Sequence, residues 1–155
     1  MSDLRKEFFN EMETLAENDK DVIVLVGDLG YSFMENYAKK YPSQFINCGI
    51  AEQNMIGIAA GLARAGKKPY VYSGSIFLCM RAYEQIRDDV AYQNLNVKMI
   101  GTGASGFLGF THNMLGDENE TDLLKNLPNF QICYPEDRRG LKKALSSNKG
   151  SYIRI

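Results

Sequence analysis

The chain has 155 residues, 45% of them hydrophobic, a size and composition that suit one globular domain over residues 1–155. Its 18 basic and 19 acidic residues leave a net charge of -1, which argues against a nucleic-acid or anionic-membrane partner. The N-terminus is too polar for a signal peptide, and the longest apolar run, Met55 to Ala63, is too short to span a membrane. The three separated cysteines lack a CxxC spacing, so we expect reduced thiols, no metal site and a cytoplasmic protein.

Predicted helices and strands alternate along the chain. In chain order they are helix 3–17, strand 22–26, helix 32–41, strand 45–48, helix 51–65, strand 68–73, helix 77–92, strand 97–100, helix 121–126, strand 130–133, helix 138–146 and strand 152–155. The all-apolar run from Val22 to Val26 is typical of a parallel strand covered on both faces. The order predicts an α/β fold, an open, mostly parallel, doubly wound sheet of about six strands with helices on both faces. Ligands of such sheets lie beyond the carboxyl ends of the strands, so the loops after Val26, Cys48, Ser73 and Ile100 are the candidate site loops.

Between Gly49 and Ala63 the only charged residue is Glu52, which shares a face of the predicted helix with Ile56 and Ala59. One interpretation is a first-turn glutamate that interacts favourably with the helix dipole. The other follows from the scarcity of charge, because a helix that is apolar over most of its surface is buried or lies at a subunit interface. A carboxylate in such a place must be protonated or matched to a specific donor.

The segment INCGIAEQNMIGIAAGLARAGKKPYVYS, residues 46–73, resembles the central pyrimidine-binding domain of transketolases and deoxyxylulose-phosphate synthases. The shared pattern is a strand, a Gly-(Ile/Val)-x-Glu helix start, a helix of small residues and a second strand. The resemblance implies the thiamine-diphosphate-binding fold, in which that glutamate hydrogen-bonds the pyrimidine ring nitrogen and activates the cofactor. By the motif match this role falls on Glu52, and Ile50 of the same motif is placed beside the cofactor.

The next segment, which begins FLCMRAYEQIR, is similar to the following helix of the family. In the family an aromatic side chain near this helix start stacks on the pyrimidine, which implies Phe77, with Tyr83 as the second choice. Alternatively, Phe77, Met80 and Tyr83 form a core-facing side of the helix. Arg81 and Arg87 are candidates for contact with a substrate phosphate, although arginines exposed on helices are commonly just solvated.

Two more loops match the family pattern. Asp28 resembles the aspartate of an Ala-Asp-Leu turn that lies near the cofactor across a subunit boundary, although an aspartate that only shapes a turn is equally compatible. His112 is the only histidine, in a Gly-Phe-Thr-His sequence like the Gly-x-Thr-His loop whose histidine contacts the substrate hydroxyl and carbonyl region. A lone surface histidine is the alternative. The chain after His112 is longer and more acidic than in the family, which alters the substrate loop.

The resemblance covers the whole chain but only one domain of the family. The Gly-Asp-Gly and downstream Asn that hold the metal and phosphates are not found, so we expect no metal here and place Mg²⁺ or Ca²⁺ on a partner subunit with the diphosphate-binding domain. The resemblance thus implies one component of a split, thiamine-diphosphate-dependent transketolase, an α2β2 assembly that transfers a two-carbon ketol unit between sugar phosphates. The chain alone would be inactive, or it is an excised piece of a longer enzyme.

Three other functions stay open. The chain could be a non-catalytic or regulatory domain of the same fold, or a subunit of a deoxyxylulose-phosphate-synthase or decarboxylase type of enzyme. Residues 101–106 also fit the G-x-G-x-x-G pattern of dinucleotide-binding proteins. That pattern should open a helix at its third glycine, whereas this chain continues FLGFTHNML without a helix start.

Overall fold

The six strands form one sheet in the computed structural model, which describes residues 3–103 and 120–155. The strands are β1 (Val22–Val26), β2 (Phe45–Asn47), β3 (Lys68–Gly74), β4 (Lys98–Thr102), β5 (Phe130–Cys133) and β6 (Gly150–Arg154). Their order across the sheet is β2-β1-β3-β4-β6-β5, and all five neighbouring pairs are parallel. The prediction of an open, doubly wound sheet of about six strands is therefore confirmed.

Helices cover both faces of this sheet. They are α1 (Leu4–Asn18), α2 (Glu35–Lys40), α3 (Glu52–Arg64), the short α4 (Tyr83–Gln85) and α5 (Arg138–Leu145). Two π-helical turns, Phe77–Arg81 and Ile86–Ala91, flank α4, and the described part of the chain has two 3₁₀ turns, at Pro42–Gln44 and Glu120–Leu123. Within the described residues, none of these helices combines the length and hydropathy that crossing a lipid bilayer demands.

The core is split by the sheet into two hydrophobic clusters. One cluster joins α1, α2 and α5 to one face through residues such as Phe8, Met12 and Leu141. The other packs α3 and the segment around α4 onto the opposite face through residues such as Met55 and Ile86. Residues of β1 alternate between the two clusters, which is why this strand is a continuous apolar run in the sequence.

Three predicted helices differ from the observed ones. The helix expected over 121–126 is a short 3₁₀ turn over Glu120–Leu123. The helix expected over 32–41 begins only at Glu35, because Gly30 and Ser32 adopt positive φ angles of 107° and 73° that no α-helix accommodates. The continuous helix expected over 77–92 is instead the two π-helical turns around α4. Turns of the π type are rare and are often found at functional sites.

Candidate functional site at the switch point of the sheet

The candidate site lies where the strand connections diverge. From β1 the chain runs outward to β2, and from β3 it runs in the opposite direction to β4. A crevice therefore opens between the carboxyl ends of β1 and β3, the position where doubly wound sheets bind ligands. Gly27 follows β1 directly, Ser73 lies at the end of β3, and α3 begins beside them at Glu52.

The Glu52 carboxylate is buried in this crevice, with its residue only 1% exposed. The Ser73 hydroxyl donates a hydrogen bond of 3.2 Å to Oε1, and Arg81 Nη1 donates one of 2.5 Å to Oε2. Glu52 is the first residue of α3, yet its side chain bonds to the next strand and the next helical segment. The interpretation as a helix-start residue is thus incomplete, because a specific set of donors surrounds the carboxylate.

Arg81 connects Glu52 to an aromatic ring. Its guanidinium carbon lies 4.4 Å from the centre of the Phe77 ring, a cation–π contact between residues four apart on the same π-helical turn. Gly74 leaves room for this ring, because a Cβ there would come within 3.1 Å of a Phe77 ring carbon. The structure therefore brings three of the candidate residues, Glu52, Arg81 and Phe77, together, and their roles stay predictions.

The other two members of the proposed core-facing stripe behave differently from Phe77. Met80 is 51% exposed, and Tyr83 packs against the core cluster beneath α3. Phe77, Met80 and Tyr83 thus do not form one core face. The packing of Tyr83 favours its core role, and its role at a cofactor stays a prediction.

Asp28 and Asn47 tie the turns after β1 and β2 to each other. The Asp28 carboxylate accepts hydrogen bonds from Tyr31 Oη at 2.5 Å and from Asn47 Nδ2 at 3.1 Å. Asn47 Oδ1 in return accepts from the Asp28 and Gly49 amides at 3.2 and 3.0 Å. The bonds from Tyr31 and then Asn47 lower the pKa of Asp28 below its ordinary value. Asp28 also has a φ of 53°, so the structure shows its turn role, and contact with a cofactor stays a prediction.

The remaining candidates lie at the rim or outside the described residues. Ile50 is 74% exposed, just before α3. Arg87 forms an ion pair with Asp88 at the surface. His112 falls within residues 104–119, outside the described part of the chain. Within residues 3–103 and 120–155, no three His, Cys, Asp or Glu side chains cluster as a metal site would require.

Ser73 and Gly27 are site residues that the sequence reasoning did not name. A Cβ at residue 27 would lie 2.8 Å from the Ser73 hydroxyl oxygen, so Gly27 leaves the space in which Ser73 reaches Glu52. The only signal in the sequence was their position at strand ends. Gly101, the first glycine of the G-x-G-x-x-G pattern, has a packing explanation. A Cβ at this position would come within 2.6 Å of Tyr152 ring carbons.

The sequence profile of the family described as "Transketolase, pyrimidine binding domain" matches residues 1–150. The chain belongs to this family. Its fold and the position of Glu52 at the switch point agree with that membership. The similarity extends across nearly the whole chain in individual relatives as well.

Among the curated relatives of this pyrimidine-binding domain, a subunit of the apulose-4-phosphate transketolase of Phocaeicola vulgatus is 40% identical over 143 residues. Those residues are 90% of this chain and 45% of that protein. The 6-deoxy-6-sulfo-D-fructose transketolase subunit SqwH of a Clostridium species is 34% identical, covering 98% of this chain and 49% of that protein. A solved structure described as "Split gene transketolase, inactive beta4 tetramer" superposes with a TM-score of 0.83 at 35% identity, over 97% of this chain and 50% of that one. The chain therefore spans about half the length of these three relatives. It spans about a quarter of others, such as the 1-deoxy-D-xylulose-5-phosphate synthase of Listeria monocytogenes, which is 37% identical over 92% of this chain and 24% of that protein.

Proposed function

We propose that this chain is the pyrimidine-binding component of a split, thiamine-diphosphate-dependent transketolase. In this proposal the enzyme transfers a two-carbon ketol unit between sugar phosphates. The observation that carries the proposal is the buried Glu52 carboxylate at the switch point of a pyrimidine-binding domain, beside the Phe77 ring. Two relatives named as transketolase subunits support the reaction class.

The described residues fit the pyrimidine half of the cofactor. A heteroaromatic ring with hydrogen-bonding nitrogens needs a carboxylate in a site that excludes water and an apolar or aromatic surface to lie against. Glu52 supplies the carboxylate and Phe77 the surface, while the exposed Ile50 offers a further apolar contact at the rim. Thiamine diphosphate, when bound, supplies the nucleophilic carbon and the electron sink for cleaving a bond next to a carbonyl.

Each residue of the chain has a distinct role in this proposal. Glu52 bonds to the ring nitrogen and holds the proton whose position activates the cofactor. Ser73 fixes the orientation of the carboxylate through its bond to Oε1. Phe77 stacks on the ring, Asp28 lies near the cofactor across a subunit boundary, and His112 contacts the substrate. The Arg81 guanidinium donates a hydrogen bond to Glu52. Contact between Arg81 and a substrate phosphate stays a prediction.

The partner in this proposal is a second polypeptide that carries the diphosphate-binding domain and Mg²⁺ or Ca²⁺, in an α2β2 assembly. Two features support it. Two relatives are named as transketolase subunits, and the chain spans about half the length of each. The outer face of α3 is exposed and without charge at Gln53, Gly57 and Gly61, as a surface that docks onto another subunit requires.

The proposal is tested with the chain reconstituted with a partner that carries the diphosphate-binding domain. Ketol transfer from a ketose phosphate is measured for the unaltered chain, for Glu52→Gln and for Glu52→Ala. Both variants should lose roughly 10²- to 10⁴-fold in kcat, the range for removing a positioned acid–base group. The chain alone should bind thiamine diphosphate weakly and turn over nothing.

The matched control is Glu84→Gln, which changes an exposed glutamate of α4 and should leave the rate unchanged. Unchanged turnover in the Glu52 variants would favour a non-catalytic domain of the same fold. Tight binding of thiamine diphosphate and Mg²⁺ to the chain without a partner would contradict the split enzyme.

A further inference from the structure

The Arg81 guanidinium makes two contacts at once. Through Nη1 it donates a hydrogen bond of 2.5 Å to Glu52 Oε2, and its central carbon lies 4.4 Å from the centre of the Phe77 ring. A guanidinium is planar and delocalised, so it can stack on an aromatic face while it donates hydrogen bonds in its own plane to a carboxylate. Arg81 thus contacts both the Glu52 carboxylate and the Phe77 ring, the two groups proposed to recognise the pyrimidine ring.

These are the two contacts that an aminopyrimidine ring would need. Such a ring is also planar, donates hydrogen bonds in its plane and stacks on an aromatic side chain. Ser73 bonds to Oε1, whereas Oε2 accepts from the same Arg81 guanidinium that lies against the Phe77 ring. A ring that stacked on the same face of Phe77 and bonded to Oε2 would require the volume in which the guanidinium lies.

We propose that Arg81 is an internal competitor of the cofactor, whose guanidinium holds the place of the pyrimidine ring on Glu52 and Phe77 and must leave before the ring binds. This inference rests on the proposed function of the site. It gives Arg81 a role in controlling cofactor affinity, distinct from contact with a substrate. The ion pair with Arg81 also meets the need of the buried Glu52 for a partner until the ring takes its place.

The position of Arg81 allows this exchange. Its side chain is 41% exposed, whereas the Glu52 side chain is 1% exposed, so the arginine can move into solvent while the glutamate stays fixed. Arg81 lies at the end of its π-helical turn, one residue before the break at Ala82 that separates it from α4. The long side chain can therefore change rotamer without moving the Phe77 ring or the backbone of α3.

The test measures affinity for thiamine diphosphate in the reconstituted complex with Mg²⁺, by calorimetric titration. Arg81→Gln removes the charge and most of the stacking surface. Its dissociation constant should be roughly tenfold lower than that of the unaltered complex, since one hydrogen bond to a charged group is worth about that factor. Arg81→Lys keeps the charge but loses the planar group, so its affinity for thiamine diphosphate should lie between those of the unaltered complex and of Arg81→Gln.

Arg139→Gln is the matched control, because Arg139 is exposed on α5, which packs on the opposite face of the sheet from α3. Its affinity should equal that of the unaltered complex. Arg81→Lys also keeps the test valid should Arg81→Gln fail to fold, which circular dichroism would show.

The outcomes separate this inference from the proposed function. Tighter binding by Arg81→Gln, or by Arg81→Lys alone, supports the internal competitor. Equal or weaker binding by both variants, with clear binding by the unaltered complex, overturns it and leaves the cofactor site intact. Absence of binding by every form, the unaltered complex included, overturns the proposed function and the inference with it.

Discussion

At the scale of single residues, the site depends on a glycine and a hydroxyl that share one small space. Ser73 donates to Glu52 from the side of β3, and Gly27 borders the same space from the side of β1. Neither residue is charged or aromatic, so neither attracts notice in the sequence. Together they allow Oε1 of Glu52 to accept a hydrogen bond from the side of β3.

The role of Ser73 is tested by a double-mutant cycle with Gly27. Ser73→Ala should lower the affinity for thiamine diphosphate several-fold, since it removes a hydrogen bond to a buried carboxylate. Gly27→Ala should cause a similar loss, because its new Cβ would lie 2.8 Å from the hydroxyl oxygen and turn that hydroxyl away from Glu52. The double variant should lose little more than either single variant, since both act on one bond. Fully additive losses, measured by calorimetric titration, would show that Gly27 acts by another route.

At the scale of elements, α3 has two faces with different functions. Its inner face places Met55, Ile56 and Ala59 in the core and aims Glu52 at the crevice. On its outer face a Cβ at Gly57 or Gly61 would meet nothing within 4 Å. Two glycines in open space cost helix stability without any packing gain inside this chain, which is consistent with close approach by the proposed partner.

Replacing Gly57 or Gly61 should therefore have opposite effects on the stability of the isolated chain and on its assembly with the partner. Gly57→Gln and Gly61→Gln should each raise the free energy of unfolding of the isolated chain by about 0.5–1 kcal/mol, as expected when glycine is replaced in an exposed helix. The same changes should weaken assembly with the diphosphate-domain partner, because a longer side chain keeps the partner at a distance. Urea unfolding measures the first effect and analytical ultracentrifugation the second. Asn10→Gln, at an exposed position of α1, is the control, and unimpaired assembly of both glycine variants would place the partner on another face.

At the scale of the whole molecule, the carboxyl ends and the amino ends of the strands have different roles. The carboxyl ends of the strands form the crevice with Glu52. At the amino ends of the strands, the first residue of β4 is Lys98, which is buried and lines a cavity of about 180 Å³. Its ammonium group donates to Asn96 Oδ1 and, at 2.6 Å, to the Lys149 carbonyl, so it ties β4 to the turn before β6. Burial lowers the pKa of Lys98 from 10.5 to about 8.

Lys98 should make the free energy of unfolding depend on pH in a specific range. Between about pH 8 and about pH 10.5 the unfolded chain keeps the proton of Lys98 and the folded chain releases it, so the contribution of Lys98 to stability rises with pH. Relative to the unaltered protein, Lys98→Met should lose about 1–2 kcal/mol across this range, a value reduced for the access of water through the cavity. Urea unfolding at a series of pH values measures the difference.

Lys68→Met is the control for this pH series. The pKa of Lys68 is raised by its hydrogen bond to Asp19, so the folded chain keeps its proton across this range and the unfolded chain begins to lose it only near the upper end. The stability of Lys68→Met relative to the unaltered protein should therefore change little with pH over most of the range. A flat profile for Lys98→Met as well would mean that the folded protein keeps the Lys98 proton.

Part of the site could be predicted from the sequence because it depends on local pattern. Glu52 stood out as the only charge between Gly49 and Ala63, and Phe77 as the aromatic residue at the start of the next predicted helix. Arg81 was considered for a phosphate, and nothing local indicated that it would bond to Glu52, which is 29 positions away. The late start of α2 was missed for a similar reason, because a positive φ at Ser32 has no counterpart in helix propensity.

The sequence by itself determined the fold class, through apolar strands alternating with amphipathic helices, and identified the carboxylate through a motif on one continuous segment. Only the tertiary structure decided which groups surround that carboxylate. Ser73 and Arg81 reach Glu52 because the switch in strand order places the end of β3 and the following π-helical turn beside the start of α3. Local propensities and hydrophobic periodicity specify each element separately, whereas contacts across a crevice depend on how strands order and helices pack together.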